Sequence, residues 1–114
     1  MQNQLLYWVQ NDYGKQITIN CKNADGSTMD LTGNTGITFM GQFANTPGAN
    51  VINNSSNTAV SGSPSNGVVT YTVQQNDFNQ VGTYRCALVV NFASAVVTLP
   101  DIIIVVEPAL PTAS

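Results

Sequence analysis

The sequence predicts an all-β chain, a two-sheet antiparallel β-sandwich of about seven short strands. Three observations carry that expectation. Apolar residues recur at every second position in several segments, the period of a strand with one face in a core. Turn residues, chiefly Asn, Gly, Asp and Pro, punctuate the chain between those segments. And no window of eleven or more residues keeps a helical apolar spacing without a Gly, Pro or Asn cluster breaking it. With 114 residues, the chain has the length of one domain with one core.

Each element follows in order. Leu5–Val9 is an apolar run of strand length. Lys15–Lys22 places Ile17, Ile19 and Cys21 on one face and Gln16, Thr18, Asn20 and Lys22 on the other. Asn23-Ala24-Asp25-Gly26 supplies a turn, with Asp-Gly suited to positive φ. Ile37–Phe43 alternates through Ile37, Phe39, Gly41 and Phe43. Residues 44–66, rich in Asn, Ser, Gly and Pro, are expected to be mainly surface loop, with room for a short strand at Val51-Ile52. After Ser65-Asn66-Gly67, the side chains of Val69, Tyr71 and Val73 share a face. Tyr84, Cys86, Leu88, Val90 and Phe92 form the longest alternating face. A link at Ala93-Ser94 leads to a strand at Ala95–Leu99, and Pro100-Asp101 separates it from another at Ile102–Val106. Prolines 108 and 111 lack the amide donor of a ladder, so the domain is expected to span 1–107 and residues 108–114 to form a C-terminal tail.

Composition excludes several functions. Three Lys and Arg residues oppose six Asp and Glu, for a formal net charge of −3, and there is no histidine. Lys15, Lys22 and Arg85 are too few and too scattered for a nucleic-acid-binding stripe. Without histidine there is no imidazole base or metal ligand. The acids Asp12, Asp25, Asp30, Asp77, Asp101 and Glu107 fall mostly at strand ends and turns, so no carboxylate pair stands out for glycoside hydrolysis. Asp25–Asp30 is the nearest approach to a calcium loop, but turn formation explains it. Asn53 and Asn54 each begin an Asn-x-Ser sequon, which chance explains in so Asn- and Ser-rich a chain. No enzyme activity, metal or cofactor is expected. The first ten residues carry no Lys or Arg and no long apolar run, so no signal peptide is expected. The longest apolar run, Ile102–Val106, is far short of a membrane-spanning helix. A soluble chain, made and folded in a cytoplasm, follows as the expectation.

Cys21 and Cys86 lie too far apart in sequence for a zinc site. They are either two buried thiols or one bridge; a cytoplasmic origin favours thiols, while strand placement would let them meet. Gly82-Thr83-Tyr84-Arg85-Cys86 puts a tyrosine two residues before the second cysteine. In immunoglobulin-like sandwiches that tyrosine opens a strand, and its hydroxyl bonds back to the backbone at a corner. The tryptophan of antibody domains is absent, with Phe39 about where it would stand. The expected fold is accordingly immunoglobulin-like.

A longer pattern runs through most of the chain: Gly26, then Asp30-Leu31-Thr32-Gly33, Ile37-Thr38-Phe39, Gly67-Val68-Val69-Thr70-Tyr71, Asp77, Gly82-Thr83-Tyr84 and Thr98-Leu99-Pro100. Over about residues 13–106 this resembles the N-terminal domain family of bacteriophage baseplate upper proteins and related tail proteins. The long 44–66 segment and the two cysteines depart from that family, and no second domain is expected to follow. The resemblance implies a phage setting. Locally, Asp30 is expected to close an Asx-type turn, Leu31 to plug the core edge and Gly33 to take a positive φ.

Apolar residues on both faces of the terminal strands suggest a surface for other protein. Ile102, Ile104 and Val106 would face the core, leaving Ile103 and Val105 outside; Leu6 and Trp8 are read as their outward companions. Leu6, Trp8, Ile103 and Val105 are thus the candidate interface. The expected function is non-enzymatic: a phage virion structural protein that binds capsid, tail or baseplate proteins, or itself. Capsid decoration or cement is the first reading and a tail or baseplate adaptor the second. A carbohydrate-binding adhesin using Tyr13 or Phe43 is the alternative from another class.

Overall fold

The computed structural model of the protein describes residues 4–44, 46 and 51–108. Eight strands are found there: β1 (Gln4–Val9), β2 (Gln16–Asn20), β3 (Asn34–Phe43), β4 (Ile52–Asn54), β5 (Thr58–Val60), β6 (Val68–Thr72), β7 (Gly82–Phe92) and β8 (Val96–Glu107). They form a five-stranded sheet in the order β1-β8-β7-β3-β4 and a three-stranded sheet in the order β2-β6-β5. The period-2 apolar positions of both sheets meet in one core, so the chain is a β-sandwich, as its alternation requires.

Fully buried Phe39 on β3 and Tyr71 on β6 stack across the two sheets, ring centroids 4.2 Å apart and planes 9° apart. At one end, Trp8, Phe78, Tyr84 and Phe43 continue the core as a chain of tilted and edge-to-face rings, with successive centroids 6.1, 5.1 and 5.4 Å apart. Such geometries satisfy the ring quadrupoles and add about 0.5–1.5 kcal/mol per pair beyond area burial.

Three expectations about the elements are corrected. Residues 44–66 hold the short strand expected near Val51-Ile52, as β4, but also a second short strand, β5, that was not expected. β4 pairs with β3 and β5 with β6, so the chain changes sheets between Asn54 and Thr58. Thr58 Oγ1 fastens that crossing by donating to the Ile37 carbonyl at 2.6 Å. Second, Ala95–Leu99 and Ile102–Val106 are not separate strands. They are one strand, since Cys86 pairs with Ile102 but Leu88 with Leu99, which leaves residues 100 and 101 together opposite Ala87. A bulge of this kind is where a sheet accommodates a proline. Third, the sheets are not wholly antiparallel: β1 runs parallel to β8, with Leu5 opposite Ile103 and Tyr7 opposite Val105. After β1 the chain crosses to β2 in the other sheet through a turn pinned by Gln10 N–H to Glu107 O (2.8 Å), Asn11 N–H to Phe78 O (3.0 Å) and Gly14 N–H to Val73 O (2.8 Å).

Other turns are as their residues dictate. Phe92 and Ala95 exchange backbone hydrogen bonds around Ala93-Ser94. Asp30 Oδ1 accepts from Thr32 N–H (2.9 Å) and Thr32 Oγ1 (2.6 Å), Leu31 is fully buried and Gly33 has φ +85°. The proposed tail lies outside the described residues beyond Pro108.

Gly67 follows a 3-10 turn at Pro64–Asn66 and has φ +68°. A Cβ there would stand 2.5 Å from the Met29 carbonyl oxygen, whereas at Gly33 it would meet nothing within 4 Å. Both sites carry the left-handed penalty of about 1–2 kcal/mol, but only Gly67 adds a backbone clash. Gly67→Ala should therefore lower the unfolding free energy by at least about 1 kcal/mol more than Gly33→Ala. Urea denaturation of the two variants measures the difference, and equal losses would overturn the steric account.

Candidate functional site

The outer face of the five-stranded sheet is the feature that core formation does not explain. Parallel pairing of β1 with β8 puts laterally opposed residues on the same side. The buried Ile104 and Val106 are flanked by Leu6 and Trp8, both partly buried against the core. The other face then carries Leu5, Tyr7 and Val9, which are 57%, 63% and 42% exposed, beside half-buried Ile103 and Val105. β7 extends this face with Thr83 opposite Val105 and Arg85 opposite Ile103. Met40 on β3 and Val96 on β8 add exposed apolar surface further along.

The candidate interface residues are therefore divided by the structure. Ile103 and Val105 face outward as expected. Leu6 and Trp8 do not share their side, and this is a correction. Trp8 packs on Phe78 and its Nε1–H donates to the Asp12 carbonyl at 3.0 Å, which anchors the β1–β2 turn. The alternation of β1 was legible, but its phase depends on the pairing partner, because both sets of side chains are apolar. The outward residues missed are Leu5, Tyr7 and Val9.

The site's charges are sparse. Arg85 and Glu107 are both exposed, and among the described residues neither side chain has an ion pair or hydrogen bond. Lys15 pairs with Asp12 at 3.5 Å, beside a shallow cleft of about 240 Å³ bordered by Tyr7, Trp8, Val9 and Glu107. The three basic residues lie on separate elements and form no stripe.

Elsewhere the polar groups serve the fold. Asp25 Oδ1 accepts from Ser27 N–H (2.9 Å) and Ser27 Oγ (2.5 Å). These bonds hold the Asp25 carboxyl below its ordinary pKa, and the Thr32 bonds do the same for Asp30. Both carboxylates are thus occupied by their own turns. Among the described residues no group of three or more His, Cys, Asp or Glu side chains is placed to hold a metal ion. Phe43 is buried against Tyr84 and offers no sugar platform, which corrects that expectation; Tyr13 is exposed.

Tyr84 is fully buried at the start of β7, but its hydroxyl makes no hydrogen bond of ordinary geometry. Burial pushes its pKa up while the Gln80 backbone pulls the other way. The Gln80 backbone is the upstream position expected of the corner, and beside it Asp77 accepts from the Tyr71 hydroxyl and from Gln74 N–H, the latter at 2.9 Å. Gly82, with φ +140°, lets the chain pass Phe43, whose ring edge would lie 2.6 Å from a Cβ.

Cys21 and Cys86 are free, buried thiols. Cys86 Sγ sits 2.9 Å from where a Cβ on Gly41 would be, so Gly41 makes room for it. Desolvation pushes the Cys21 thiol up to about 11 and Cys86 up to about 12, which removes the thiolate needed for nucleophilic or redox chemistry near neutrality.

No family model matches this chain, and a search of curated proteins finds no match.

Stability should vary with pH at both ends. Above about pH 9 the unfolded chain releases thiol protons that the folded chain retains, so stability falls as pH rises, by up to about 1.4 kcal/mol per pH unit for each thiol. At the acid end, the contribution of Asp25 and Asp30 is present above their unfolded pKa and lost as pH falls through the lower folded values. Chemical denaturation between pH 8 and 9.5 should show the alkaline decline. The Cys21→Ala/Cys86→Ala variant, whatever its absolute stability, should show a shallower one.

Proposed function

We propose that this chain is a non-enzymatic structural domain whose role is to bind other protein through the outer face of the five-stranded sheet. The observation that supports it best is the row of exposed Leu5, Tyr7 and Val9 beside Ile103 and Val105. An open sheet face normally carries polar residues, and contiguous exposed apolar surface marks a partner site. The occupied carboxylates and suppressed thiols agree with a protein without catalytic machinery.

The immunoglobulin-like reading draws support from the strand order. β2, β6 and β5 correspond to strands B, E and D of such folds, and β3, β7 and β8 to C, F and G, with β4 at the C′ position. The resemblance to the phage baseplate upper and tail family supplies the setting: a virion protein contacting major capsid, tail or baseplate proteins. Decoration or cementing of a capsid is the reading put first, since a small domain with an apolar sheet face suits attachment to a larger lattice. Attachment to a tail or baseplate is the second.

Quantitative mass spectrometry of purified parent particles tests this. Capsid decoration gives on the order of hundreds of copies per particle, and a tail role gives a handful or a multiple of about six, following the symmetry of each structure. Particles that lack the protein would overturn the virion reading. Replacing Leu5 and Val105 by Ser should reduce incorporation at least about tenfold while the isolated domain still folds cooperatively.

A further inference from the structure

The outer face carries two charges among its described side chains whose positions are related in a particular way. Tyr7, Val105 and Thr83 lie in register as a row across β1, β8 and β7. One row toward one end stand Leu5, Ile103 and Arg85. One row toward the other stand Val9 and Glu107. Arg85 and Glu107 are thus displaced equally and oppositely from the central row, about 13 Å apart along the strands and one strand spacing, about 4.8 Å, across them. Each is exposed, with no ion pair or side-chain hydrogen bond among the described residues.

A two-fold axis lying along the central row turns this arrangement into its own complement. It lays Leu5 of one copy over Val9 of the other and brings Arg85 opposite Glu107, twice. The lateral offset is within the reach of an arginine side chain or a slight tilt of the axis. Isologous contacts have this property, in which one residue meets a second and the second meets the first. The strands of the two sheets then run nearly aligned, the packing that twisted sheets favour. The central row lies near one end of the sheet, where β1 and β8 end and β7 begins, so the copies overlap over those three strands for about five residues, roughly 240 Å² each, a small contact of the weak class. A two-fold axis along β8 would instead set the two Glu107 carboxylates face to face and each Arg85 over Leu5, so the charges favour the axis along the row.

Resting on the protein-binding reading above, we infer that the first occupant of this face is a second copy of the chain, in a two-fold dimer centred on Tyr7, Val105 and Thr83 and oriented by reciprocal Arg85–Glu107 pairs.

Sedimentation velocity of the full chain, from about 1 to 500 µM to span weak and moderate affinities, is the test. The expected species has twice the 12.1 kDa chain mass. Arg85→Glu and Glu107→Lys should each weaken it at least about tenfold. The double charge swap, which restores both the pairs and the net charge, should recover it. Tyr7→Asp on the axis should abolish it. Near-ultraviolet circular dichroism checks that each variant is folded, as exposed positions should allow. A chain monomeric throughout the range overturns the second-copy proposal while leaving the particle measurement to decide the broader reading. A dimer indifferent to the swaps overturns this geometry, and so does one strengthened by Glu107→Lys, which would report net charge alone.

Discussion

The stack of Phe39 on Tyr71 is the contact on which the sandwich depends. It joins β3 of the larger sheet to β6, the central strand of the smaller one, with both rings withdrawn from water. Antibody-type domains place a tryptophan against a disulfide in this layer. Here a pair of six-membered rings supplies apolar volume, and the two cysteines fill space as small apolar groups. Tyr71 also reaches the chain reversal between β6 and β7 through its hydroxyl bond to Asp77. One side chain thereby couples inter-sheet packing to the corner that aims β7. Phe78, immediately after Asp77, carries the same core toward Trp8 and Tyr84.

That aim decides the character of the outer face. β7 lies between β3 and β8, and β8 in turn holds β1. Once Cys86, Ile102, Ile104 and Val106 point inward, Arg85, Ile103 and Val105 must point out, because successive strand residues alternate. The bulge opposite Ala87 absorbs the extra residue in β8, so buried positions remain in phase on both sides of it. Apolar residues outside are thus not leftovers of a disordered pattern. They occupy a regular surface whose backbone is fixed by the core beneath it, a rigid support for recognition.

Much of the fold was legible because its causes are local. The Asp30 turn needed only a carboxylate two residues before a threonine amide, and a glycine able to take positive φ. The β2, β3, β6 and β7 faces needed only alternation between apolar and polar neighbours. Legibility failed where neighbours do not differ or where the cause is distant. β5, at three residues, is too short for alternation to show and exists as a strand because β6 offers it an edge. Pro100-Asp101 looks like a break until β7 opposes it with a single residue. The Tyr84 corner was anticipated from spacing, but the polar anchor beside it, Tyr71 to Asp77, was not, because that pairing is set by how β6 meets the turn that follows it.

The candidate surface divides in the same way. Composition alone determined that this chain has few charges, no histidine and terminal strands apolar on both sides, which is what disfavoured catalysis and nucleic-acid binding. Alternation determined that two sets of apolar side chains exist in β1. Only tertiary structure decided which set faces water, because Leu6 and Trp8 bury as readily as Leu5, Tyr7 and Val9 when judged by hydrophobicity. The parallel register with β8 broke that tie by setting Leu6 beside Ile104 and Trp8 beside Val106 and within reach of Phe78.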